Sequence, residues 1–136
     1  MADPPRFAAF LRGMNVGGHR LSNEELRGHF SAMGFRAVAS FRASGNVIFS
    51  ADREPPRAIA ERIEQGLEAS LGYAVPTFIR ASAEVREIAA AQPFAPERVR
   101  ASTGKLHVGL LTAPPSARAL QDVLSLGSDR DGLAFG

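Results

Sequence analysis

The sequence predicts an α+β fold, in which an antiparallel sheet carries helices on one face. Three observations predict this class. Short apolar runs of strand length alternate with segments in which apolar residues recur every three or four positions. A glycine turn at residues 44–46 separates two of the strand-like runs, as in a β-hairpin. Hydrophobic residues make up 45% of the 136 residues and charged residues 22%, which is the balance of an ordinary globular core.

The first 80 residues are predicted to form one β-α-β-β-α-β unit. Its elements cover, in order, residues 6–12, 22–33, 38–42, a strand from 47, 55–71 and 74–80. Ser22 and Glu25 make a capping box that predicts the start of the first helix, and Gly72 predicts the end of the second. This order is that of the ferredoxin-like split unit. Because Pro76 has no amide hydrogen, we expect the fourth strand at a sheet edge or with a bulge.

Residues 81–136 are predicted to form an α-β-α extension that the chain leaves incomplete. It consists, in order, of a helix from Ser82, a mobile loop at 92–103, a strand with alternating Leu106, Val108 and Leu110, a helix after Pro115, and a strand stub at 133–135. We therefore expect two domains, residues 1–80 and 81–136. An uncovered apolar strand edge pairs readily with another molecule, so this C-terminal strand predicts either a fragment or a homo-oligomer.

The composition excludes several classes of protein. There are no cysteines, so disulfides, thiolate metal sites and cysteine nucleophiles are excluded, and a cytoplasmic location is expected. The pI is about 9.9 but the net charge is only +2, so the pI alone is weak evidence for a nucleic-acid partner. No apolar run is long enough to span a membrane, and the N-terminus lacks the pattern of a signal peptide, so we expect no membrane partner.

The stretch between the first strand and the first helix is the strongest candidate for a binding site. It combines glycines with residues that are cationic or donate hydrogen bonds: Arg12, Gly13, Asn15, Gly17, Gly18, His19 and Arg20. A glycine loop with donors ahead of a helix N-terminus is a common way to bind an anion. The stretch matches neither of the common glycine-rich phosphate motifs. It therefore predicts a small ligand bearing phosphate or carboxylate, held by loop amides and arginines rather than by a metal.

Structural explanations of the same residues stay open. Gly17 and Gly18 fit a tight turn with positive φ. Arg12 fits an ion pair with Glu24 or Glu25 of the first helix. Asn15 fits a cap on the backbone of its own loop.

The predicted hairpin turn carries two further candidates, Ser44 and Asn46. Turn chemistry alone explains both of them. The functional interpretation is that the turn folds toward the glycine loop and adds a hydroxyl and an amide to the site. A nucleophilic Ser44 would need a nearby base, and the sequence indicates none. No histidine has the spacing of a metal ligand, so neither a metal nor a cofactor is expected, and His19 is the residue to consider as an acid or base.

Three segments resemble a known family. They are L-R-G-M-N-V-G-G-H-R at residues 11–20, S-G-N-V-I-F at 44–49, and the pair Pro93-Phe94. In order and spacing they resemble the bacterial domain-of-unknown-function 1697 family along essentially the whole chain. The resemblance implies an α/β protein of unassigned function.

The chain also departs from that family pattern. Ala43 stands where members tend to have glutamine, and Asn23 where they often have methionine. Family chains usually continue with a further strand, a basic G-R-S-K-like segment and a helix with an R-N-W-N-like motif. The resemblance thus implies a short or truncated member, which would be inactive if the missing part completes a site.

Three functions therefore compete, and no catalytic residue or reaction is indicated, so whether the protein is an enzyme stays open. The first is binding of a small anion at the glycine loop. The second is a nucleic-acid module that uses Phe41 and Phe49 as exposed aromatics, although no RNP-like run is present. The third is an interaction or assembly module without catalysis.

Overall fold

The computed structural model describes residues 3–14, 17–42, 45–128 and 130–136. Their helices and strands follow the order β1 (Arg6–Leu11), α1 (Asn23–Ala32), β2 (Arg36–Ser40), β3 (Asn46–Ser50), α2 (Pro56–Leu71), β4 (Thr77–Ala81), α3 (Ser82–Ala90), α4 (Pro96–Ala101) and α5 (Ala117–Leu124). The α+β class is confirmed, and the elements through β4 have the predicted order β-α-β-β-α-β. The chain divides into two compact units, Met1–Arg86 and Glu87–Gly136.

The four strands form one open antiparallel sheet in the order β2-β3-β1-β4. The central strand β1 pairs antiparallel with both β3 and β4, and β2 pairs antiparallel with β3. β4 lies at an edge of the sheet, which is one of the two alternatives expected from Pro76, although the premise that Pro76 stands inside the strand is wrong. Pro76 lies immediately before β4 rather than inside it, because β4 begins at Thr77.

The hydrophobic core of Met1–Arg86 lies on the sheet face covered by α1 and α2. Alternate residues of the strands point into it, and both helices contribute one apolar stripe; the side chains in it that are completely buried or nearly so include Leu26, Phe30, Val47, Phe49, Ile59, Ile63, Leu67 and Val75. Phe30, Phe35 and Phe49 form an aromatic cluster, and the closest ring centroids, those of Phe35 and Phe49, are 4.7 Å apart. Such tilted ring pairs are favourable beyond the area that they bury.

The prediction of an α-β-α extension is wrong for both strands that it placed after residue 81. Residues 106–110 and 133–135 adopt no strand, and part of the expected loop at 92–103 forms α4. The physical reason is that alternation alone does not make a strand, since its backbone amides and carbonyls need a neighbour. Within the described part of Glu87–Gly136 no second strand supplies one. The helix expected after Pro115 is confirmed as α5, where the Ser116 hydroxyl accepts a hydrogen bond from the Ala119 amide at 3.1 Å.

The longest helix of the described ranges is α2, with 16 residues. None of the helices in these ranges has both the length and the apolar character needed to cross a membrane.

Candidate functional site

The topology brings three chain segments to one end of the sheet. Because β1 is antiparallel to β3 and β4, its C-terminal end lies beside the N-terminal ends of both neighbours. The Leu11 amide donates a hydrogen bond to the Gly45 carbonyl at 2.9 Å, and the Arg12 amide donates one to the Pro76 carbonyl at 2.9 Å. The stretch of residues 12–20, called the glycine loop from here on, therefore leaves the sheet between the hairpin turn and the segment that precedes β4.

Gly45 shows how closely the hairpin turn approaches the glycine loop. A Cβ atom on Gly45 would lie 3.0 Å from the Met14 side chain and 3.1 Å from the Leu11 carbonyl oxygen, and its φ is +77°. Met14 itself is buried. The two segments that the sequence analysis placed beside each other are thus adjacent, while their sharing of a ligand stays a prediction.

Of the two candidates in the hairpin turn, the structure describes only Asn46. Asn46 uses its side-chain amide to donate to the Phe41 carbonyl at 3.3 Å, and its own carbonyl accepts from the Phe41 amide at 3.1 Å. These bonds close the hairpin, as turn chemistry requires. Ser44 and Asn15 lie outside the described residues.

Gly17 and Gly18 allow the backbone of the glycine loop to adopt positive φ angles. Gly17 and Gly18 have φ values of +64° and +88°, and a Cβ on either would meet no atom within 4 Å. An L-residue would therefore be disfavoured there by its backbone angles and not by lack of space. This geometry agrees with the tight-turn interpretation, and both glycines are exposed.

Arg12 and Arg20 are exposed cations of the glycine loop. Within the described ranges, the ion pairs are Arg36–Asp52, Arg57–Glu61, Arg62–Glu54 and Arg100–Glu97. Neither loop arginine takes part in one, so the alternative pairing of Arg12 with a glutamate of α1 is not observed there.

The start of α1 is already satisfied by its own residues. The Ser22 hydroxyl accepts from the Glu25 amide at 3.1 Å, and the Glu25 carboxylate accepts from the Ser22 amide at 2.9 Å. Glu24 adds a second negative charge to the first turn. These carboxylates complement the positive end of the helix dipole. An anion at the glycine loop would therefore depend on the loop amides and arginines.

His19 lies against the segment before β4. Its ring stacks on that of Tyr73, with centroids 3.7 Å apart and an angle of 28° between the planes. His19 is exposed, whereas Tyr73 is half-buried. The glycine loop is thus held to this segment both by the Arg12 backbone and by a ring contact.

A small hollow of about 110 Å³ lies beside the same segment. Its lining residues are Glu64, Glu68, Ala74, Val75 and Pro76. The Glu64 carboxylate accepts a hydrogen bond from the Thr77 amide at 2.9 Å. Two carboxylates make this hollow unsuitable for an anion, so it is distinct from the predicted anion site. Across the described ranges no three His, Asp or Glu side chains converge as metal ligands would.

The nucleic-acid hypothesis requires two exposed aromatic side chains, and only one of them is exposed. Phe49 is completely buried in the core and cannot stack on a base, whereas Phe41 is 56% exposed. The reason is the strand period of two, which directs Val47 and Phe49 to the same covered face.

Sequence reasoning missed Tyr73 and Pro76 as neighbours of the glycine loop. A signal was nevertheless present. In the order expected for a β-α-β-β-α-β unit, the first and fourth strands are adjacent and antiparallel, so the segment before the fourth strand meets the loop after the first. The unique tyrosine of the chain stands in that segment.

Comparison with known proteins gives a family and a fold. The sequence profile of the family described as "Protein of unknown function (DUF1697)" matches residues 5–136. A solved structure of the conserved bacterial protein SP0830 from Streptococcus pneumoniae is similar, with a TM-score of 0.58 and 22% sequence identity. The similarity covers 67% of this chain and 50% of that protein, so it spans half of the solved chain and shows the fold alone. No curated protein matches this chain.

Proposed function

We propose that this chain, which belongs to the DUF1697 family of unknown function, binds a small phosphate- or carboxylate-bearing molecule at its glycine loop. The observation that carries the proposal is the presence of two exposed arginines in one short loop, neither of them ion-paired within the described residues. Guanidinium groups match the planar geometry of carboxylate and the oxygens of phosphate, and they form two parallel hydrogen bonds.

The loop backbone supports the same chemistry. Gly17 and Gly18 carry no side chain that would shield their amides, so an anion can approach the backbone of these two residues. Hydrogen bonds to charged groups contribute roughly 1.5–3 kcal/mol each. Loss of one arginine should therefore weaken binding about tenfold or more.

A phosphate titration tests this proposal. The amide signals of Gly17 and Gly18 are followed by NMR in wild type and in Arg12→Ala and Arg20→Ala, at constant ionic strength because salt screens such contacts. Arg53→Ala is the matched control, since Arg53 is an exposed arginine between β3 and α2. Weaker binding in both loop variants, with no change in the control, is expected. Equal affinity in all four proteins would reject the site.

A second candidate function, association with another copy of this chain, is favoured by the residues after Arg86. No described residue of Glu87–Gly136 is buried. Large apolar side chains in this unit are 39–73% exposed: Val99, Leu106, Val108, Leu111, Val123, Leu124, Leu126, Leu133 and Phe135. Exposed apolar side chains that lie together mark contact sites, and this unit carries most of those that the structure describes.

Light scattering after size exclusion tests the association. A dimer is expected for wild type and a monomer for the double variant Leu106→Asp, Val108→Asp. Phe41→Asp is the control, because Phe41 is an exposed apolar residue of the other unit. A wild-type monomer at high concentration would reject the proposal.

We also propose a cytoplasmic location, on the ground that a cysteine-free chain suits a reducing compartment. Fractionation of the producing cells, with the protein expected among the cytoplasmic proteins, tests it. Recovery from a secreted fraction would contradict it.

A further inference from the structure

We infer that the ligand of the glycine loop carries a flat ring beside its anionic group, as a nucleoside monophosphate does, and that this ring stacks on His19. The inference rests on the proposed anion site and specifies its ligand. It starts from the stacked rings of His19 and Tyr73, whose centroids are 3.7 Å apart.

Tyr73 packs against His19 and stands in the short segment between α2 and β4. It follows Gly72, the C-cap of α2, whose amide donates to the Glu68 carbonyl at 2.9 Å. Two residues later Val75 is buried in the core. Tyr73 is itself partly buried and packs against that core, and its ring covers one face of the imidazole.

An exposed ring that already packs on a neighbouring ring is pre-ordered for stacking on the ring of a ligand. Holding an exposed side chain in one orientation costs rotamer entropy. Because the stack on Tyr73 already orders the His19 ring, ligand binding would pay less of this entropy cost. Bases of nucleotides stack on histidine and tyrosine rings because every base has a π-face.

The proposed anion site and His19 belong to the same loop, residues 12–20. Arg20 follows His19 directly, and Arg12 begins the loop that ends there. Both arginines are exposed. A ligand whose ring rests on His19 would therefore carry its phosphate among cations and glycine amides. The acidic hollow at Glu64 and Glu68 lies beside the segment of Tyr73 and repels an anion from that side.

Three probes separate the ring from the phosphate: inorganic phosphate, ribose 5-phosphate and AMP. In wild type, AMP should bind about tenfold more tightly than ribose 5-phosphate, which is within the range of one stacked base. His19→Ala should abolish this ratio. Because the ratio compares two phosphate monoesters, it cancels any contribution of His19 as a cation.

Variants of the supporting ring complete the test. Tyr73→Phe should keep the AMP advantage, Tyr73→Leu should reduce it, and His29→Ala, a histidine of α1, should leave it unchanged. The ring proton signals of His19 should move in Tyr73→Leu without ligand, while those of His29 and His107 stay in place. This measurement shows whether the stack exists in solution.

The outcomes distinguish the two proposals. If no probe binds wild type, the proposed anion site is rejected together with this inference. If phosphate and ribose 5-phosphate bind but AMP binds no better, only the inference is overturned. An equal loss of all three probes in Tyr73→Leu would also overturn it, since the stack would then only position the loop.

Discussion

Replacing Gly45 with alanine should destabilise the protein more than its backbone angle alone explains. Gly45 has a φ of +77°, and its added Cβ would lie 3.0 Å from the Met14 side chain and 3.1 Å from the Leu11 carbonyl oxygen. The side chain of Met14 can move, but the Leu11 oxygen belongs to the central strand. The substitution therefore combines backbone strain with close contacts to the end of β1 at Leu11 and to Met14 of the glycine loop.

The size of each contribution can be separated with Gly72→Ala. Gly72 has a similar φ of +82°, and a Cβ there would meet no atom within 4 Å. Its replacement should cost about 1–2 kcal/mol, the usual penalty of a left-handed L-residue. Gly45→Ala should cost this amount plus about 1–3 kcal/mol for overpacking against fixed atoms.

Urea unfolding followed by circular dichroism measures both values, because the chain has no tryptophan for fluorescence. Equal m-values would show that wild type and both variants expose the same surface area on unfolding. If Gly45→Ala loses no more stability than Gly72→Ala, the hairpin turn does not press on the glycine loop and the reasoning fails.

Three further substitutions probe the fold that carries the site. Ile63→Ala in the core should lose about 2–5 kcal/mol of unfolding free energy; a loss below 1 kcal/mol would contradict its burial. Ser22→Ala should lose about 1 kcal/mol with the capping box, and an unchanged urea midpoint would show that the cap is dispensable. Arg36→Ala removes an exposed ion pair with Asp52 and should change stability by less than about 1 kcal/mol; a larger change would show that the pair is better ordered than its exposure indicates.

Local signals explain why the first half of the fold was predictable. The capping box of Ser22 and the stop at Gly72 act within a few residues, so they can be recognised without knowledge of the tertiary structure. Residues 106–110 show the opposite case. Their alternation of apolar residues is the usual signal of a half-buried strand, but a strand depends on a partner that lies elsewhere in space.

The residues of the candidate site could be grouped from the sequence, whereas their binding of a ligand stays a prediction. The glycine loop and its exposed arginines follow from residue types close together in sequence. The stack of His19 on Tyr73 joins two loops that are distant in sequence, so it depends on sheet order rather than on any motif. Glu25 illustrates a remaining ambiguity, since it was available to Arg12 as an ion-pair partner but binds the Ser22 amide instead.

The two hydrogen bonds that anchor the glycine loop, from Leu11 to Gly45 and from Arg12 to Pro76, both use main-chain atoms alone. They can form with any residue except proline at position 12, because proline has no amide hydrogen to donate. The side chain at this position can therefore be exchanged without rebuilding the sheet beneath it, and under the proposed function such an exchange would change which ligand the loop binds. For the same reason, Arg12→Ala should keep the backbone bond to Pro76, so weaker phosphate binding by that variant would report on the guanidinium alone.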